Sequence, residues 1–306
     1  MENLTPPQLP NPIHNSPLSE RDRIRASLLK MRTMTRGDKL LEMRAHNILD
    51  DRELKKMQQA EPAKPPEPAR MQEGQQGMKW LDRFLTTDPD LLKVKEHVKI
   101  LAPTHWPVMI LGESGTGKEL IARALHGSRA GRFVGINCAA ISENLVESEL
   151  FGHVKGSFTG AYTDKQGLLT RASSGTAFLD EIGDLQYSLQ AKLLRAIQEK
   201  TIRRVGSVDD EEISCRIVCG THKDIEMELN ETFRLDLFYR LSTFMLKLKP
   251  LSERPIGDFV ELAKFFGGDD EDATRLFDNR HRMPGNIRQV EQYFTRKKVL
   301  GVVDWL

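Results

Sequence analysis

The chain has 306 residues, enough for one sizeable hydrophobic core with accessory segments or for two small domains. Its 45 basic and 44 acidic residues leave a net charge of +1, so any nucleic-acid contact must come from a local patch rather than from overall charge. No apolar stretch approaches the ~20 residues of a membrane-spanning helix, and the start lacks a signal-peptide layout, so we expect a cytoplasmic protein without a membrane partner.

The cysteine content also limits the possible classes of protein. Cys138, Cys215 and Cys219 are too few for a disulfide framework. Cys215 and Cys219 flank an apolar run, which indicates burial in a strand rather than a metal site. The sequence therefore predicts three buried, reduced thiols.

Residues 1–78 are predicted to form a proline-rich, partly helical basic leader. Nine of the 15 prolines precede residue 70, in clusters at 6–17 and 62–68, which is typical of extended linker. Between these clusters, residues 21–44 carry eight basic and three acidic side chains along a loose helical stripe. Two interpretations stay open for this stretch: an arm that binds nucleic acid or a protein partner, and a solvated helical hairpin or partly disordered leader.

From about Trp80, short apolar runs alternate with helical patterns. The runs predicted to be strands are 107–111, 133–136, 176–179, 216–219 and 243–246. This alternation predicts an α/β domain over 79–250, with a parallel five-stranded sheet between helices. After Leu248 the sequence becomes helical and charged, which predicts a small helical lid over 251–306.

A glycine-rich loop, 112–118, follows the first strand and opens the next helix, as a P-loop requires. Glycines let backbone N–H groups turn toward phosphate oxygens, the helix N-terminus adds its positive end, and Lys118 reaches the terminal phosphates. Glu119 replaces the usual Ser or Thr, so no hydroxyl is available there for magnesium. A chance glycine-rich turn is the alternative. The residues predicted to contact nucleotide here are Gly112, Glu113, Ser114, Gly115, Thr116, Gly117, Lys118, Glu119 and Leu120.

The third predicted strand ends in two carboxylates, Asp180 and Glu181. Asp180 can hold Mg²⁺ at the carboxyl end of the strand, and Glu181 can orient and deprotonate an attacking water. Strand ends are often acidic, so the pair is informative only because it follows the P-loop within the same alternating pattern. Together, the two motifs predict a protein that binds and hydrolyses ATP.

Five segments resemble the AAA+ domain of bacterial enhancer-binding proteins, the ATPases that activate sigma-54 RNA polymerase. They are GESGTGKELIARALH, FVGINCAAISENLVESELFGHVKGSFTGAY, GTAFLDEIGDLQYSLQAKLLRAIQE, FRLDLFYRL and MPGNIRQVEQ. The resemblance covers roughly residues 80–300. It implies an oligomeric AAA+ P-loop ATPase, assembled as a ring, that uses ATP and Mg²⁺ and acts on sigma-54 RNA polymerase.

The most specific part of the resemblance is GSFTGA, which is similar to the family's GAFTGA loop. The residues implied to contact the partner are Gly156, Ser157, Phe158, Thr159, Gly160 and Ala161, with Phe158 and Thr159 at the tip that touches sigma-54. Ordinary helix packing is the alternative for Phe158. Glycines at 152, 156 and 160 favour an interrupted, mobile insertion instead.

The resemblance also implies further roles in ATP hydrolysis. Asn137 matches the asparagine that hydrogen-bonds the catalytic glutamate, and Thr221 matches the sensor I position. His222 stands where the family often has Asn or His.

Three arginines complete the implied site. Arg234 and Arg240 match the arginines presented to the neighbouring subunit's nucleotide, where a planar guanidinium pairs well with phosphate. A surface salt bridge is the alternative for both. Arg288 matches the sensor II arginine of the lid.

The sequence departs from the family's pattern at several positions. Ser157 replaces an alanine in the loop, Ser252 replaces the first arginine of a PLRER stretch, and Met283 replaces the tryptophan that usually precedes PGN. The stretch from Leu251 to Pro284 is shorter than the family's usual lid, so we expect a missing helix or short helices.

The ends of the sequence differ most from the family. Only 18 residues follow Arg288, too few for the family's C-terminal helix-turn-helix, and no receiver-like domain fits in the leader. The resemblance thus predicts an ATP-hydrolysing domain without a recognisable sensor domain or DNA-binding domain. DNA contact could come through the leader or through a separate protein.

The sequence favours an AAA+ transcriptional activator that remodels sigma-54 RNA polymerase through the GSFTGA loop. Two alternatives stay open. One is a remodeller of the same fold that engages another protein, and the other is a nucleotide-binding regulatory module that does not cycle.

Overall fold

A five-stranded parallel sheet forms the centre of the protein, seen in a computed structural model that describes residues 75–139 and 143–301. Its strands are β1 (Val108–Leu111), β2 (Phe133–Asn137), β5 (Thr176–Asp180), β8 (Arg216–Thr221) and β9 (Phe244–Lys247), in the spatial order β2-β5-β8-β1-β9. The predicted sheet is confirmed, and each predicted strand agrees with an observed one to within two residues. Most of the predicted leader, including the basic stretch 21–44, lies outside the described residues.

Burial along the strands explains the layered architecture. All six residues of β8 are buried, as are the first four of β5, whereas the edge strands β2 and β9 are mostly half-buried. Strands buried on both faces are typical of parallel sheets that carry helices on each side. β8 and β5 therefore form the centre of the core.

Helices surround this sheet and continue beyond it. They are α1 (Gln75–Asp82), α2 (Pro89–Leu101), α3 (Lys118–His126), α4 (Glu143–Phe151), α5 (Leu168–Arg171), α6 (Tyr187–Glu199), α7 (Leu235–Leu241), α8 (Ile256–Phe266), α9 (Asp270–Asp278) and α10 (Asn286–Leu300). Across the described ranges, none of the helices is long and apolar enough to cross a membrane.

Two small antiparallel pairs stand apart from the main sheet. β3 (Gly152–His153) pairs with β4 (Lys165–Gln166), and β6 (Thr201–Arg203) pairs with β7 (Asp210–Glu212). The loop between β3 and β4 contains the GSFTGA sequence. The two pairs form insertions on the α/β domain.

The lid has a hydrophobic core of its own. Leu251, Phe259, Leu276 and Val290 are fully buried within it, and Met283 packs into the same cluster. Its helices α8, α9 and α10 have 11, 9 and 15 residues. The expectation that the lid lacks a helix or has short ones, compared with the family, stays a prediction.

The three cysteines are buried and free, as the sequence predicts. Burial raises the pKa of the Cys138 thiol to about 12 and that of Cys215 to about 11. Both thiols are therefore protonated and unreactive at neutral pH.

Candidate active site

The glycine-rich loop connects β1 to α3. Gly115 and Gly117 have φ angles of 76° and 103°, in the left-handed region that favours glycine. Helix α3 begins at Lys118, so the helix N-terminus, with its unpaired backbone N–H groups, faces the loop. This arrangement has the geometry of an anion-binding site.

Lys118 and Glu181 form the polar centre of the site. The Nζ atom of Lys118 lies 3.0 Å from Oε1 of Glu181 and donates to the carbonyl oxygen of Gly112 at 2.8 Å. Both side chains are buried, with 6% and 9% of their surfaces exposed. They meet because β1 and β5 both flank β8, which brings the carboxyl ends of the three parallel strands to one edge.

Glu181 is also held by His222, to which the sequence assigned no role of its own. Oε2 of Glu181 accepts the backbone N–H of His222 at 3.1 Å and lies 2.6 Å from Nδ1 of its ring. Burial alone would raise the pKa of Glu181, but the hydrogen bonds from His222 and Lys118 hold it below the ordinary value of 4.5. The carboxylate is therefore ionised at neutral pH, as a general base requires.

Asp180 offers an unsatisfied carboxylate beside this pair. Its Oδ1 atom is buried and has no hydrogen-bond partner among the residues that the structure describes. Burial raises the pKa of Asp180, the charge of Lys118 opposes that rise, and Glu181 adds to it. A buried, unpaired carboxylate oxygen is costly, and a divalent cation is a partner that removes this cost.

A second group of possible metal ligands lies close by. Ligand atoms of Glu181, Asp184 and His222 lie within 4.8 Å of one another. Asp184 already pairs with Lys223 at 2.8 Å, and Glu181 already accepts hydrogen bonds. Asp180 is therefore the better candidate for a cation.

Glu119, which replaces the usual hydroxyl residue, is engaged elsewhere. Arg123, one turn along α3, donates to its carboxylate from Nε at 2.9 Å and from Nη2 at 2.7 Å. Arg123 in turn lies over the rings of Trp80, at 4.9 Å, and Phe133, at 4.6 Å. These contacts tie Glu119 to the first helix of the described structure.

A cleft of about 650 Å³ joins the glycine-rich loop to the lid. Its polar lining includes Ser114, Gly115, Gly117, Lys118, Asp180, Glu181 and Arg288, and its apolar lining includes Trp80, Phe84, Leu85, Leu262, Phe266 and Ile287. A cleft with an apolar wall and a few convergent charged groups is the usual form of a small-molecule site. Sequence reasoning missed the apolar wall because its residues come from three separate segments, 80–85, 262–266 and 287.

Asn137, expected to hydrogen-bond Glu181, and Thr221, expected at the sensor I position, both have partners other than Glu181 in the structure. Asn137 pairs in register with Asp180, but its Oδ1 accepts the backbone N–H of Ala139 at 2.9 Å, and the hydrogen bonds to Glu181 come from other residues. The reason is local: Glu181 has a φ of 53°, in the left-handed region, and its carboxylate bonds Lys118 and His222 instead.

The other of these residues, Thr221, is fully buried at the end of β8, next to His222. Its hydroxyl accepts the backbone N–H of Lys223 at 3.1 Å, and its carbonyl oxygen accepts that of Gly112 at 3.0 Å. Thr221 therefore joins Gly112, the start of the glycine-rich loop, to β8.

The three predicted arginines lie in two places. Arg234 precedes α7 and pairs with Asp236 at 2.8 Å, so the salt-bridge alternative describes it in this conformation. Arg240 is partly buried in the last turn of the same helix. Arg288 is exposed at the cleft, where its Cβ lies beside Gly115 of the loop, and its sensor II role stays a prediction.

The tip of the GSFTGA loop is exposed. Phe158 has 36% of its surface accessible and packs edge-on against His153, with ring centroids 5.0 Å apart. Gly156 and Gly160 both have positive φ, and an added Cβ at either would meet nothing within 4 Å. Phe158 thus lies outside the helices and is partly accessible, and its role as a partner contact stays a prediction.

The base of this loop is anchored by the neighbouring hairpin. The backbone N–H of Val154 donates to Val205 at 3.1 Å, and that of Val205 donates to Gly152 at 2.9 Å. Ser157 packs against Gly206, and its hydroxyl has no hydrogen-bond partner within the described ranges. Compared with the alanine of the family's loop, Ser157 thus adds a hydroxyl group that forms no hydrogen bond within the described ranges.

Comparison with known proteins places the chain in a family. Residues 84–247 match the model of the sigma-54 interaction domain. The chain belongs to this family. Its resemblance to the AAA+ domain of sigma-54 activators and its predicted AAA+ P-loop fold are confirmed.

Three known proteins show what this chain is similar to. The response regulator protein PilR of Pseudomonas aeruginosa is 45% identical over 233 residues, 72% of this chain and 52% of PilR. The sigma54-dependent transcriptional activator SfnR of Pseudomonas putida is 43% identical over 221 residues, 67% of this chain and 60% of SfnR. The crystal structure of NtrX from Brucella abortus in complex with ATP is 32% identical, with a TM-score of 0.60, covering 72% of this chain and 53% of NtrX. The chain spans about half the length of the curated relatives it matches.

Proposed function

We propose that the chain is an ATP-hydrolysing transcriptional activator that remodels sigma-54 RNA polymerase through the GSFTGA loop. The observation that carries the proposal is the sigma-54 interaction domain over residues 84–247. It contains both the glycine-rich loop 112–118, called the phosphate loop below, and the GSFTGA loop. The name of SfnR, a sigma54-dependent transcriptional activator, favours this reading over remodelling of another protein.

ATP is the proposed substrate of the cleft. The phosphates would lie at the loop 112–118 and Lys118, while the apolar wall near Leu85 and Ile287 suits a nucleobase. Arg288 at the lid side adds a positive charge near the phosphates. The ATP complex of NtrX, with the same fold, supports this choice of ligand.

Asp180 is the proposed holder of Mg²⁺. Its buried, unpaired Oδ1 fits a hard cation that prefers carboxylate oxygens. When bound, Mg²⁺ neutralises charge that develops on the transferred phosphate. Glu119 suits this role less well because its side chain is exposed and Arg123 donates both hydrogen bonds to one of its carboxylate oxygens.

Glu181 is the proposed general base for the attacking water. Its carboxylate is ionised and held by hydrogen bonds, so it needs little reorganisation to accept a proton. Lys118 would leave Glu181 for the phosphates when ATP enters. Asn137 and Thr221, at the ends of β2 and β8 on either side of β5, are proposed to complete the water and phosphate contacts.

We propose a ring of identical subunits, because two arginines of the site are assigned to the neighbouring nucleotide. Arg234 and Arg240 would approach the phosphates across the interface, where such an arginine contributes ~10³–10⁵ in rate. Arg234 would have to exchange Asp236 for phosphate in that step. The protein is proposed to act in the cytoplasm, with DNA contact left to the leader or to another protein.

The GSFTGA loop is the proposed contact with sigma-54. Phe158 is the exposed aromatic at its tip, and Thr159 beside it offers a hydroxyl. A large apolar side chain that remains accessible is typical of an interaction site. Movement of this loop would transmit the ATP cycle to the partner.

Binding to purified sigma-54 tests the proposal. We expect the wild-type protein to co-migrate with sigma-54 in the presence of an ATP transition-state mimic. Phe158→Ala should weaken this complex at least about 30-fold, as expected for an aromatic anchor worth about 2 kcal/mol, while ATP turnover stays near wild type. Ile100→Ala, at an exposed apolar residue of α2, is the matched control and should bind normally.

The outcomes separate the candidate functions. A wild-type protein that turns over ATP but ignores sigma-54 would leave a remodeller of another protein. A protein that binds nucleotide without turnover would be a regulatory module. Loss of both turnover and folded stability in Phe158→Ala would show that this side chain is structural.

A further inference from the structure

The lid binds three consecutive carbonyl oxygens of the phosphate loop. Nδ2 of Asn286 donates to Ser114 at 3.0 Å, the backbone N–H of Ile287 donates to Gly115 at 3.1 Å, and Nη2 of Arg254 donates to Thr116 at 3.1 Å. The packing is close, since a Cβ added to Gly115 would collide with the carbonyl oxygen of Gly285. The outer side of the loop is therefore fixed by the lid.

Holding these carbonyls also sets the direction of the N–H groups. In a trans peptide the C=O and the next N–H point in opposite directions. The bonds to Ser114 and Thr116 thus orient the N–H groups of Gly115 and Gly117, the two glycines that line the cleft. Glycine peptides rotate readily, so without such bonds these two groups could turn away from a phosphate.

Asn286 is placed under strain to make its contact. It is 1% exposed and has a φ of 52°, a conformation that few residues other than glycine adopt. Its Oδ1 accepts the backbone N–H of Leu251 at 2.6 Å, and its Nδ2 also donates to the Glu113 carboxylate at 3.0 Å. The amide nitrogen of Asn286 therefore joins the lid to the loop, while its amide oxygen holds the start of the lid.

Arg254 makes the second side-chain contact from the other end of the lid. It is 2% exposed, and its Nε donates to the carbonyl oxygen of Lys249 at 3.1 Å. Nη1 lies 3.9 Å from Asp258 and has no hydrogen-bond partner in the described part of the chain. A buried guanidinium is costly, which favours a specific role for its contact with Thr116.

We infer that Asn286 and Arg254 are positioning residues that hold the phosphate loop in its binding conformation, so that the seated lid sets the affinity for nucleoside di- and triphosphates. This inference rests on the proposed function, because it requires that the cleft binds a nucleotide. It gives the lid a role in binding that is separate from Arg288.

ADP binding by Asn286→Asp tests the inference. The substitution keeps the size of the side chain, its tolerance of positive φ and the acceptor for Leu251, but it places carboxylate oxygens against the Ser114 carbonyl and Glu113. We expect ADP affinity, measured by calorimetry, to fall about tenfold or more. Asn279→Asp is the matched control, because it makes the same change at a half-buried lid position that caps α9, away from the loop, and it should stay within about twofold.

A second variant and a rescue separate positioning from general stability. Arg254→Lys keeps the charge but loses the fork that reaches Thr116, so ADP affinity should also fall several-fold. Glu113→Gln combined with Asn286→Asp reverses donor and acceptor in their hydrogen bond, and should recover part of the lost affinity. The melting temperature without nucleotide is measured for each variant, and the loss of ADP affinity should not follow the loss of stability.

Each result decides a different question. Absence of ADP binding by the wild type would contradict the proposed function itself. Normal binding by the wild type and by both lid variants would overturn the inference alone. A variant that fails to fold, or whose affinity follows its melting temperature without rescue, would also overturn it, because the residues would then only stabilise the fold.

Discussion

The nucleotide cleft and the GSFTGA loop present their functional side chains in opposite ways. In the cleft, Lys118 and Glu181 are buried and held by direct hydrogen bonds. In the loop, Phe158 is exposed, and Tyr162 just beyond it has 83% of its surface accessible. The charged side chains of the cleft are held by hydrogen bonds within the chain, whereas the aromatic side chains of the loop are accessible at the surface.

The difference follows from what each region is proposed to do. Phosphoryl transfer depends on groups that are already oriented toward developing charge, so rigid contacts favour it. Contact with a partner depends on accessible side chains, which the loop provides above an anchored base at Val154 and Val205. One domain can thus contain both a rigid catalytic cleft and an exposed loop for partner binding.

The largest expected effect would come from breaking the fixed centre of the cleft. Glu181→Gln should lower ATP turnover by about 10²–10⁴-fold while nucleotide binding persists, because an amide cannot accept the proton of the attacking water. Lys118→Ala should instead weaken nucleotide binding by removing the positive partner of the phosphates. Steady-state phosphate release and a nucleotide titration measure the two effects.

Glu199→Gln provides the control for this pair. Glu199 lies at the end of α6 and forms an exposed ion pair with Arg195, so its substitution should leave turnover unchanged. Wild-type turnover in Glu181→Gln would remove Glu181 from the proposed chemistry. Tight ATP binding by Lys118→Ala would remove the phosphate loop from it.

The next effect concerns the part of the site that one subunit lacks. If Arg240 acts on the neighbouring nucleotide, Lys118→Ala and Arg240→Ala should each be inactive alone, yet their mixture should regain part of the turnover. Interfaces that pair an intact loop with an intact arginine form only in the mixture. Specific activity of the wild type should also rise with protein concentration. Activity independent of concentration, with no recovery on mixing, would contradict a shared site.

The sequence was sufficient to predict the sheet and the main motifs of the site because the residues of each motif are close together in the chain. The loop 112–118 lies between a strand and a helix, and the carboxylates of Asp180 and Glu181 directly follow a strand, so local patterns predicted both. The parallel sheet followed from alternation of strands and helices. The GSFTGA loop was recognised from six consecutive residues.

Contacts between distant segments could not be predicted in this way. Arg254 lies 138 positions from Thr116, whose carbonyl it binds, and His222 lies 41 positions from Glu181. Their meeting depends on strand order and on how the lid is seated, neither of which has a local pattern. Arg234 shows the reverse case, because a partner only two residues away, Asp236, holds it in this conformation.

Two glycines sharpen the contrast between the loop and its anchored base. Gly152 and Gly156 have φ angles of 84° and 83°, so alanine is equally strained at both. At 152 the new Cβ would lie 2.5 Å from the carbonyl oxygen of Lys165, whereas at 156 it would meet nothing within 4 Å. Gly152→Ala should therefore lower the free energy of unfolding by about 2–5 kcal/mol, and Gly156→Ala by about 1 kcal/mol. Chemical denaturation compares them, and equal losses would show that the base is no more tightly packed than the loop.

The smallest expected effect concerns His222, an exposed residue that hydrogen-bonds Glu181. Two groups of His222 reach Oε2 of Glu181, and the backbone N–H, at 3.1 Å, survives any substitution. His222→Ala therefore removes only the ring contact, worth about 1 kcal/mol, or about fivefold in rate. Because Lys118 would move to the phosphates when ATP binds, the ring matters most after binding, so kcat should fall while the KM for ATP stays near wild type.

His222→Asn is the matched variant, since a side-chain amide can donate to the same oxygen and should bring kcat back to within about twofold of wild type. Steady-state kinetics of both variants, at one pH and saturating Mg²⁺, decides the matter. Faster turnover in His222→Ala would mean that the ring restrains Glu181 rather than orienting it. The buried charges of the cleft would then be held in a resting arrangement, and the contrast with the open loop would describe an enzyme that has to be released before it can work.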